Sequence, residues 1–150
     1  YRAVDWRILF LIFGMLGLGA ALEKTAGIDW LASHLISVLG GNQPVVVISG
    51  IVLLTSLLTT FLSNNAVAVV MTPIVLEMAH HLELSTKPFL IAVAIGASAC
   101  FASPVGYQTN ALVYSAGGYK FSDFVKVGLP LNLLIWLVAS LVIPWLWPLK

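Results

Sequence analysis

Phe61-Leu62-Ser63-Asn64-Asn65-Ala66 is the stretch that decides the fold, because it puts three consecutive polar residues inside a long apolar segment. No charged residue occurs from Leu35 to Leu76. In hydrocarbon every polar group must find a partner within the protein, so this triplet needs a structural reason. The nearest charge, Glu77, follows Asn65 by twelve residues. That distance is about 18 Å of helix, whereas half of a bilayer's hydrocarbon is about 15 Å thick. We therefore predict a break in a helix near the middle of a membrane.

The composition indicates an integral membrane protein. The chain of 150 residues is 60% hydrophobic and 9% charged, and its mean hydropathy is +1.02. Soluble domains of this size carry about a quarter charged residues. The formal net charge is +1 and no basic cluster occurs, so we expect no nucleic-acid partner. The single cysteine, Cys100, lies in an apolar run and is interpreted as a small buried residue.

Clusters of charge divide the chain into segments. We predict scaffold-type helices over 1–43, a helical hairpin over 44–82 with its tip at 63–65, a broken helix over 88–118 and a last transmembrane helix over 122–148 with Ser122 as its N-cap. Pro44 is suited to the first position of a helix. The stretches 66–76 and 88–102 are too short to cross a bilayer alone, since a span needs about 20 residues. Half-length helices that meet at polar breaks are typical of transporter sites. Because Tyr1 is not preceded by a methionine, we interpret the chain as the C-terminal part of a longer protein.

The two interruptions offer complementary chemistry. A helix that ends at Leu62 leaves carbonyl groups suited to a bare cation, and a helix that starts at Ala66 leaves amide groups suited to an anion. The triplet Ser63-Asn64-Asn65 adds amide and hydroxyl groups. Ser103-Pro104-Val105-Gly106 forms the second interruption, and polar residues follow it as far as Asn110. Neither interruption needs a charged side chain to bind an ion.

The residues around both interruptions resemble those of a known transporter family. Phe61 to Ala66, with Met71-Thr72-Pro73-Ile74, resembles the Ser-Asn-Thr signature of the divalent anion:sodium symporter family. Ala102-Ser103-Pro104-Val105-Gly106-Tyr107-Gln108-Thr109-Asn110-Ala111 resembles that family's second unwound segment. Gly118 to Asp123 and Gly128 to Leu131 resemble the sequence leading into its last helix. The similarity covers nearly all 150 residues.

This resemblance implies an all-α integral membrane fold that forms one of two inverted repeats, with a re-entrant helical hairpin and a broken helix. It implies that a small anionic substrate binds to the polar residues of both interruptions, namely Ser63, Asn64, Asn65, Ser103, Pro104, Thr109 and Asn110. It also implies a sodium ion held by Ser63, Asn64 and Ala102, partly through backbone carbonyls. Other than this coupling ion, no cofactor is expected.

The resemblance further implies partners and a location. We expect the chain to contact the lipid bilayer and the N-terminal repeat of the same polypeptide, to form a homodimer and to reside as a multi-pass protein in the plasma (inner) membrane. Asn65 stands where the family usually has threonine, so the anion stays open between a dicarboxylate and sulfate. The predicted function is sodium-coupled uptake of such an anion.

Other functions were weighed against this one. A proton-coupled or arsenite-type permease is the main alternative, but proton relays generally use buried acidic groups or histidine, and the apolar runs have none. An intramembrane enzyme with Ser63 or Ser103 as nucleophile would need a base within reach, and neither deep segment supplies one. A structural membrane subunit is the remaining alternative. His80 and His81 could form a metal or proton site, but their charged neighbours favour a solvated face. We therefore expect a transporter and not an enzyme.

Overall fold

The computed structural model describes residues 27–39 and 43–149, together with separate residues between Trp6 and Thr25. The two continuous ranges contain α-helices and no β-strand, so the predicted all-α class is confirmed there. Most of the predicted scaffold segment 1–26 and the turn at 40–42 lie outside the described residues. The helices are α1 (Gly27–Val38), α2 (Pro44–Thr59), α3 (Asn64–His81), α4 (Thr86–Ser98), α5 (Gln108–Gly117) and α6 (Phe121–Leu146).

Helices α2 and α3 are separated by a loop over 60–63, which we call the first loop. Pro44 is the first residue of α2, as predicted, because its missing amide hydrogen is not needed in a first turn. The expectation that α3 starts at Ala66 is wrong. Ser63 is the N-cap, and its Oγ accepts a hydrogen bond of 3.3 Å from the Ala66 amide. Asn64 and Asn65 therefore belong to the first turn of α3 rather than to the break.

The second interruption is longer than predicted, because α4 ends at Ser98 and not near Ala102. Residues 99–107, which we call the second loop, are non-helical. Side chains of α2 supply hydrogen-bond donors to the carbonyl groups of Ala97 and Ala99, so these groups need no further helical turn. At the other end of α5, Gly118 adopts φ 64°, a left-handed conformation that favours glycine and ends the helix.

The last helix starts earlier than predicted and ends earlier. Lys120 is the N-cap of α6, and the expectation for Ser122 is wrong. The Asp123 carboxylate accepts a hydrogen bond of 2.9 Å from the Lys120 amide, and its negative charge complements the helix N-terminus. The helix passes through Pro130 and Pro144 without interruption and ends at Leu146 rather than Pro148.

Helix α6 also provides a scale for the depth of the other elements. Among the described residues, it is the one helix long and apolar enough to cross a membrane, judged by length and composition. Its 26 residues correspond to about 39 Å. Near its carboxyl end, the Ser85 amide donates to the Leu149 carbonyl at 3.0 Å. Near its middle, the Phe101 amide donates to Asn132 Oδ1 at 3.2 Å. Helix α4 and the start of the second loop therefore run from one end of α6 to its middle.

Helix α2 follows the same course. Trp136 Nε1 donates to the Ser49 carbonyl at 3.0 Å, and the Ser140 hydroxyl donates to Ser49 Oγ at 2.9 Å. Since Ser49 lies ten residues before the end of α2, that end is about 15 Å away, at the level of the second loop, whose Cys100 donates to the Thr59 carbonyl. Helices α2, α3 and α4 pack together around a core that includes Ile51, Val75 and Phe89.

Gly128 allows α6 to approach the second loop. A Cβ atom at this position would collide with the backbone of Phe101 and Ala102. Because backbone atoms cannot move aside as a flexible side chain can, any larger residue would push the loop away from the helix. Gly128 therefore makes this part of α6 a contact surface for the second loop.

Candidate functional site

The two loops meet at Thr59, the last residue of α2. Its side chain is fully buried, and Thr59 Oγ1 lies 2.7 Å from Asn64 Oδ1 and 3.0 Å from the Ala97 carbonyl oxygen. A hydroxyl group carries one hydrogen, so it can donate to only one of these two acceptors at a time. Three oxygen atoms from α2, α3 and α4 thus converge in a buried position.

The second loop packs directly on the end of α2. The Cys100 thiol donates to the Thr59 carbonyl at 3.1 Å, and the Ser56 hydroxyl donates to the Ala99 carbonyl at 3.1 Å. Gly106 lies so close that a Cβ atom there would collide with Cys100 Sγ and the Thr59 carbonyl. The packing needs a residue without a side chain at this point. The ends of α2 and α4 and the second loop therefore form a single packed unit.

Asn110, in the first turn of α5, closes the second loop. Its Nδ2 group donates to the carbonyl groups of Cys100, at 2.8 Å, and Ser103, at 3.0 Å. Ser103 Oγ in turn accepts a hydrogen bond of 3.1 Å from the Val105 amide. We use the name polar junction for this set of connected groups, which comprises Thr59, Asn64, Ala97, Cys100, Ser103 and Asn110.

The structure brings some of the residues predicted for the site into this junction and leaves others at its edge. Asn64, Ser103 and Asn110 belong to it through the hydrogen bonds described above. Ala102 and Pro104 are buried in the second loop. Ser63, Asn65 and Thr109 are exposed, with Ser63 capping α3 and the other two in the first turns of α3 and α5. Because these three side chains are exposed, a bound ligand could contact them.

Sequence reasoning missed the part played by α2. Thr59 joins the start of α3 to α4, and Ser56 joins α2 to the start of the second loop, yet neither was among the predicted site residues. Thr55, one turn before Thr59, is fully buried and its hydroxyl has no hydrogen-bond partner among the described residues. The available signal was the spacing of Thr55 and Thr59, four residues apart on one face of an apolar helix directly before the polar triplet.

The chemistry of the polar junction is that of neutral oxygen and amide groups. None of its members carries a charge, and Asp123 of α6 lines a cavity together with one member, Asn110. Hard cations prefer oxygen ligands, and carbonyl groups at the ends of half-helices can coordinate sodium in transporters. The arrangement can therefore bind a small cation without a carboxylate.

Comparison with known proteins gives a family to this arrangement. The family model described as "citrate transporter" (CitMHS) matches residues 1–148, which is almost the whole chain. The chain belongs to the citrate transporter family. Membership in a transporter family implies a membrane protein, and among the described residues α6 is long and apolar enough to cross a membrane.

Individual relatives extend the match. The chain is 38% identical over 148 residues to the uncharacterized transporter YfbS of Escherichia coli (strain K12), covering 99% of this chain and 24% of that protein. It is 34% identical over 145 residues to sodium/sulfate cotransporter 1 of Chlamydomonas reinhardtii, covering 95% of this chain and 16% of that protein. The predicted membership in a family of anion permeases is thereby confirmed. The chain spans about a quarter or less of the length of these relatives.

The role of Asn110 leads to a testable expectation. Replacing Asn110 with Ala removes the donors to Cys100 and Ser103, which lowers the free energy of opening the second loop by about 1–3 kcal/mol. Amide hydrogen exchange, followed by mass spectrometry on the full-length protein, should become faster in peptides covering 99–107. Ser115→Ala is the matched control, because Ser115 is exposed on the same helix and donates to the Leu112 carbonyl within that helix. Equal exchange in both variants would show that Asn110 does not hold the loop.

Proposed function

We propose that this chain is one part of a sodium-coupled carrier for a small divalent anion in the plasma membrane. The observation that carries the proposal is the polar junction, in which oxygen atoms from two interrupted helix pairs converge without any charged side chain. Family membership supports transport, and relatives named sodium/sulfate cotransporters, at 32–34% identity, support sodium as the coupling ion and sulfate as one substrate.

Within this proposal α2 and α3 form a re-entrant hairpin. Two observations support it: α2 starts near the carboxyl end of α6 and stops near its middle, and α3 returns to His81, four residues before the contact of Ser85 with Leu149. If α6 spans the bilayer, the first loop lies about halfway through it. The N-terminal repeat of the same polypeptide would then complete the site from the opposite side, and two such polypeptides would form a homodimer.

Labelling of single cysteines tests the hairpin. In the full-length protein with Cys100 replaced by Ala, Gln43→Cys and His80→Cys should react with a membrane-impermeant maleimide from the same side, because both residues lie at the base of the hairpin and are exposed. Lys120→Cys is the control and should react from the opposite side, since Lys120 is at the other end of α6. Labelling of Gln43→Cys and His80→Cys from different sides would mean that α2 and α3 span the membrane.

Sodium is proposed to bind beside Thr59 and Asn64. This adds Thr59 to the ligands predicted from the sequence, which are Ser63, Asn64 and Ala102. The Thr59 hydroxyl cannot donate to Asn64 Oδ1 and the Ala97 carbonyl at once, so one oxygen always has spare capacity to coordinate a cation. Ala102 is buried in the second loop, two residues after Cys100, and Cys100 contacts the Thr59 carbonyl. The ligands are neutral, so binding of sodium gives the site a positive charge to which an anion is attracted.

Transport should therefore depend on sodium, and the dependence should weaken when a ligand is removed. Thr59→Val and Asn64→Ala should each raise the sodium concentration for half-maximal uptake by about 5- to 150-fold, which corresponds to about 1–3 kcal/mol for a lost polar contact. Thr59→Ser keeps the hydroxyl and should stay close to the original protein. Thr60→Val is the matched control, because the Thr60 hydroxyl donates to the Ser56 carbonyl four residues before it and to no group of the polar junction. Uptake in proteoliposomes that is the same in choline and sodium buffers, and is driven by pH instead, would refute sodium coupling.

The anion is proposed to bind at the first turns of α3 and α5. Backbone amides of a helix's first turn lack partners within the helix and carry partial positive charge. Asn65 and Thr109 lie in these two turns and are exposed, and Ser63 lies at the start of α3. Because neither first turn contains a charged residue, a divalent anion would rely on helix ends and neutral donors there.

Substitution of Asn65 tests the contact with the anion. Asn65→Thr exchanges an amide for a shorter hydroxyl, which enlarges the pocket and changes its hydrogen-bond geometry. The ratio of sulfate to succinate uptake should shift, measured by competition of sulfate, succinate and citrate in proteoliposomes. Ser98→Ala is the control, because the Ser98 hydroxyl donates within its own helix, to the Ala94 carbonyl. An unchanged ranking would place Asn65 outside the anion site, and inhibition by none of the three anions would refute the assignment to divalent anions.

A further inference from the structure

A second group of chemically active side chains lies at the opposite end of α3 from the polar junction. His81 Nε2 is 3.7 Å from Glu77 Oε1 and 3.9 Å from Asp29 Oδ1. One potential ligand atom from each of the three residues lies within 4.8 Å of the others. Among the described residues these are the His, Cys, Asp and Glu side chains that converge in this way. We call them the surface triad.

The triad is built from two helices that pack against each other. Glu77 and His81 are four residues apart on α3, the spacing that puts two ligands on one face of a helix. Asp29 comes from the first turn of α1, so the third ligand approaches from a separate element. The neighbouring His80 is not part of the group, and His34 stacks on Trp30 with ring centroids 5.4 Å apart. Of the three described histidines, only His81 is directed at two carboxylates.

The charge of the triad favours a divalent cation. Two carboxylates lie beside one histidine, and within the described part of the chain neither of them forms an ion pair with a lysine or arginine. The side chains of His81, Asp29 and Glu77 are 43%, 55% and 35% exposed, so a cation can enter from water. Ligand atoms around a tetrahedral zinc ion are about 3.4 Å apart, given bonds of about 2.0–2.1 Å. The observed separations require only a small movement of the side chains.

We propose that Asp29, Glu77 and His81 form a binding site for a divalent transition-metal ion of the zinc type. One imidazole nitrogen and two carboxylate oxygens would hold the ion, and water would complete its coordination. The ion would tie the end of α3 to the start of α1. This site does not depend on the proposed sodium or anion sites, from which it is separated by the length of α3.

Binding of zinc chloride to the full-length protein in detergent tests the site. We expect saturable binding of one zinc ion per polypeptide at this site, measured by competition with a fluorescent chelator, and an increase in the midpoint of heat unfolding with zinc concentration. His81→Gln and Asp29→Asn should each weaken binding by about tenfold or more, because even partners outside the first coordination sphere change metal affinity by about 10- to 100-fold.

His80→Gln is the matched control, since it removes the adjacent histidine and leaves the triad intact. It should bind zinc as the original protein does and should show the same increase in the unfolding midpoint. Equal binding by the original protein and His81→Gln would overturn the proposal, as would a loss in His80→Gln as large as that in His81→Gln. Absence of saturable binding by the original protein at micromolar zinc would also overturn it. Because none of these measurements uses transport, failure here is distinguishable from failure of the proposed function.

Discussion

The interaction on which the rest of the structure depends is the mutual satisfaction of helix ends in an apolar interior. A helix that stops inside hydrocarbon leaves up to four carbonyl groups without partners, and each buried one is costly. Here α2 and α4 stop at the same level, and side chains of α2 and of the second loop supply the missing donors. Thr59 reaches the Ala97 carbonyl, Ser56 reaches the Ala99 carbonyl and Cys100 returns a hydrogen bond to Thr59. Each helix can end in the interior because groups at the neighbouring helix end form hydrogen bonds with its free carbonyls.

The sequence predicted where the helices break but not how the breaks are joined. A charge-free run with a polar triplet identified the first loop, since membrane physics leaves few reasons for three adjacent polar residues. The sequence did not indicate a contact between Thr59 and another helix, because a threonine hydroxyl often donates to the carbonyl four residues before it. Thr60 and Thr72 form such hydrogen bonds here. In the structure the Thr59 hydroxyl instead points from α2 to the Ala97 carbonyl of α4. The start of α6 also differs from the prediction. Lys120 rather than Ser122 is the N-cap, because the Asp123 carboxylate accepts a hydrogen bond from the Lys120 amide.

Neutral ligands have a physical advantage at mid-membrane depth. A permanent charge buried there would be costly while the site is empty, whereas hydroxyl, carbonyl and amide groups can satisfy one another until an ion arrives. The polar junction has most of this property, since Cys100, Ser103 and Asn110 form hydrogen bonds with protein partners and the Thr59 hydroxyl donates to either Asn64 or Ala97. Under the proposed function, binding of an ion would exchange these hydrogen bonds for coordination. Under the proposed function, the second loop is then the element that must respond, because Asn110 and Cys100 hold it.

Helix α3 connects the two kinds of chemistry in this chain. Its first residue, Asn64, belongs to the neutral polar junction, and its last, His81, belongs to the charged surface triad. Its 18 residues form a rod of about 27 Å that packs on α4 and buries residues such as Met71 and Val75. Pro73 removes one backbone hydrogen bond from the middle of this rod, but the helix remains continuous. The two groups therefore lie at opposite ends of one packed helix, so a substitution in either group changes its own chemistry without removing a contact of the other.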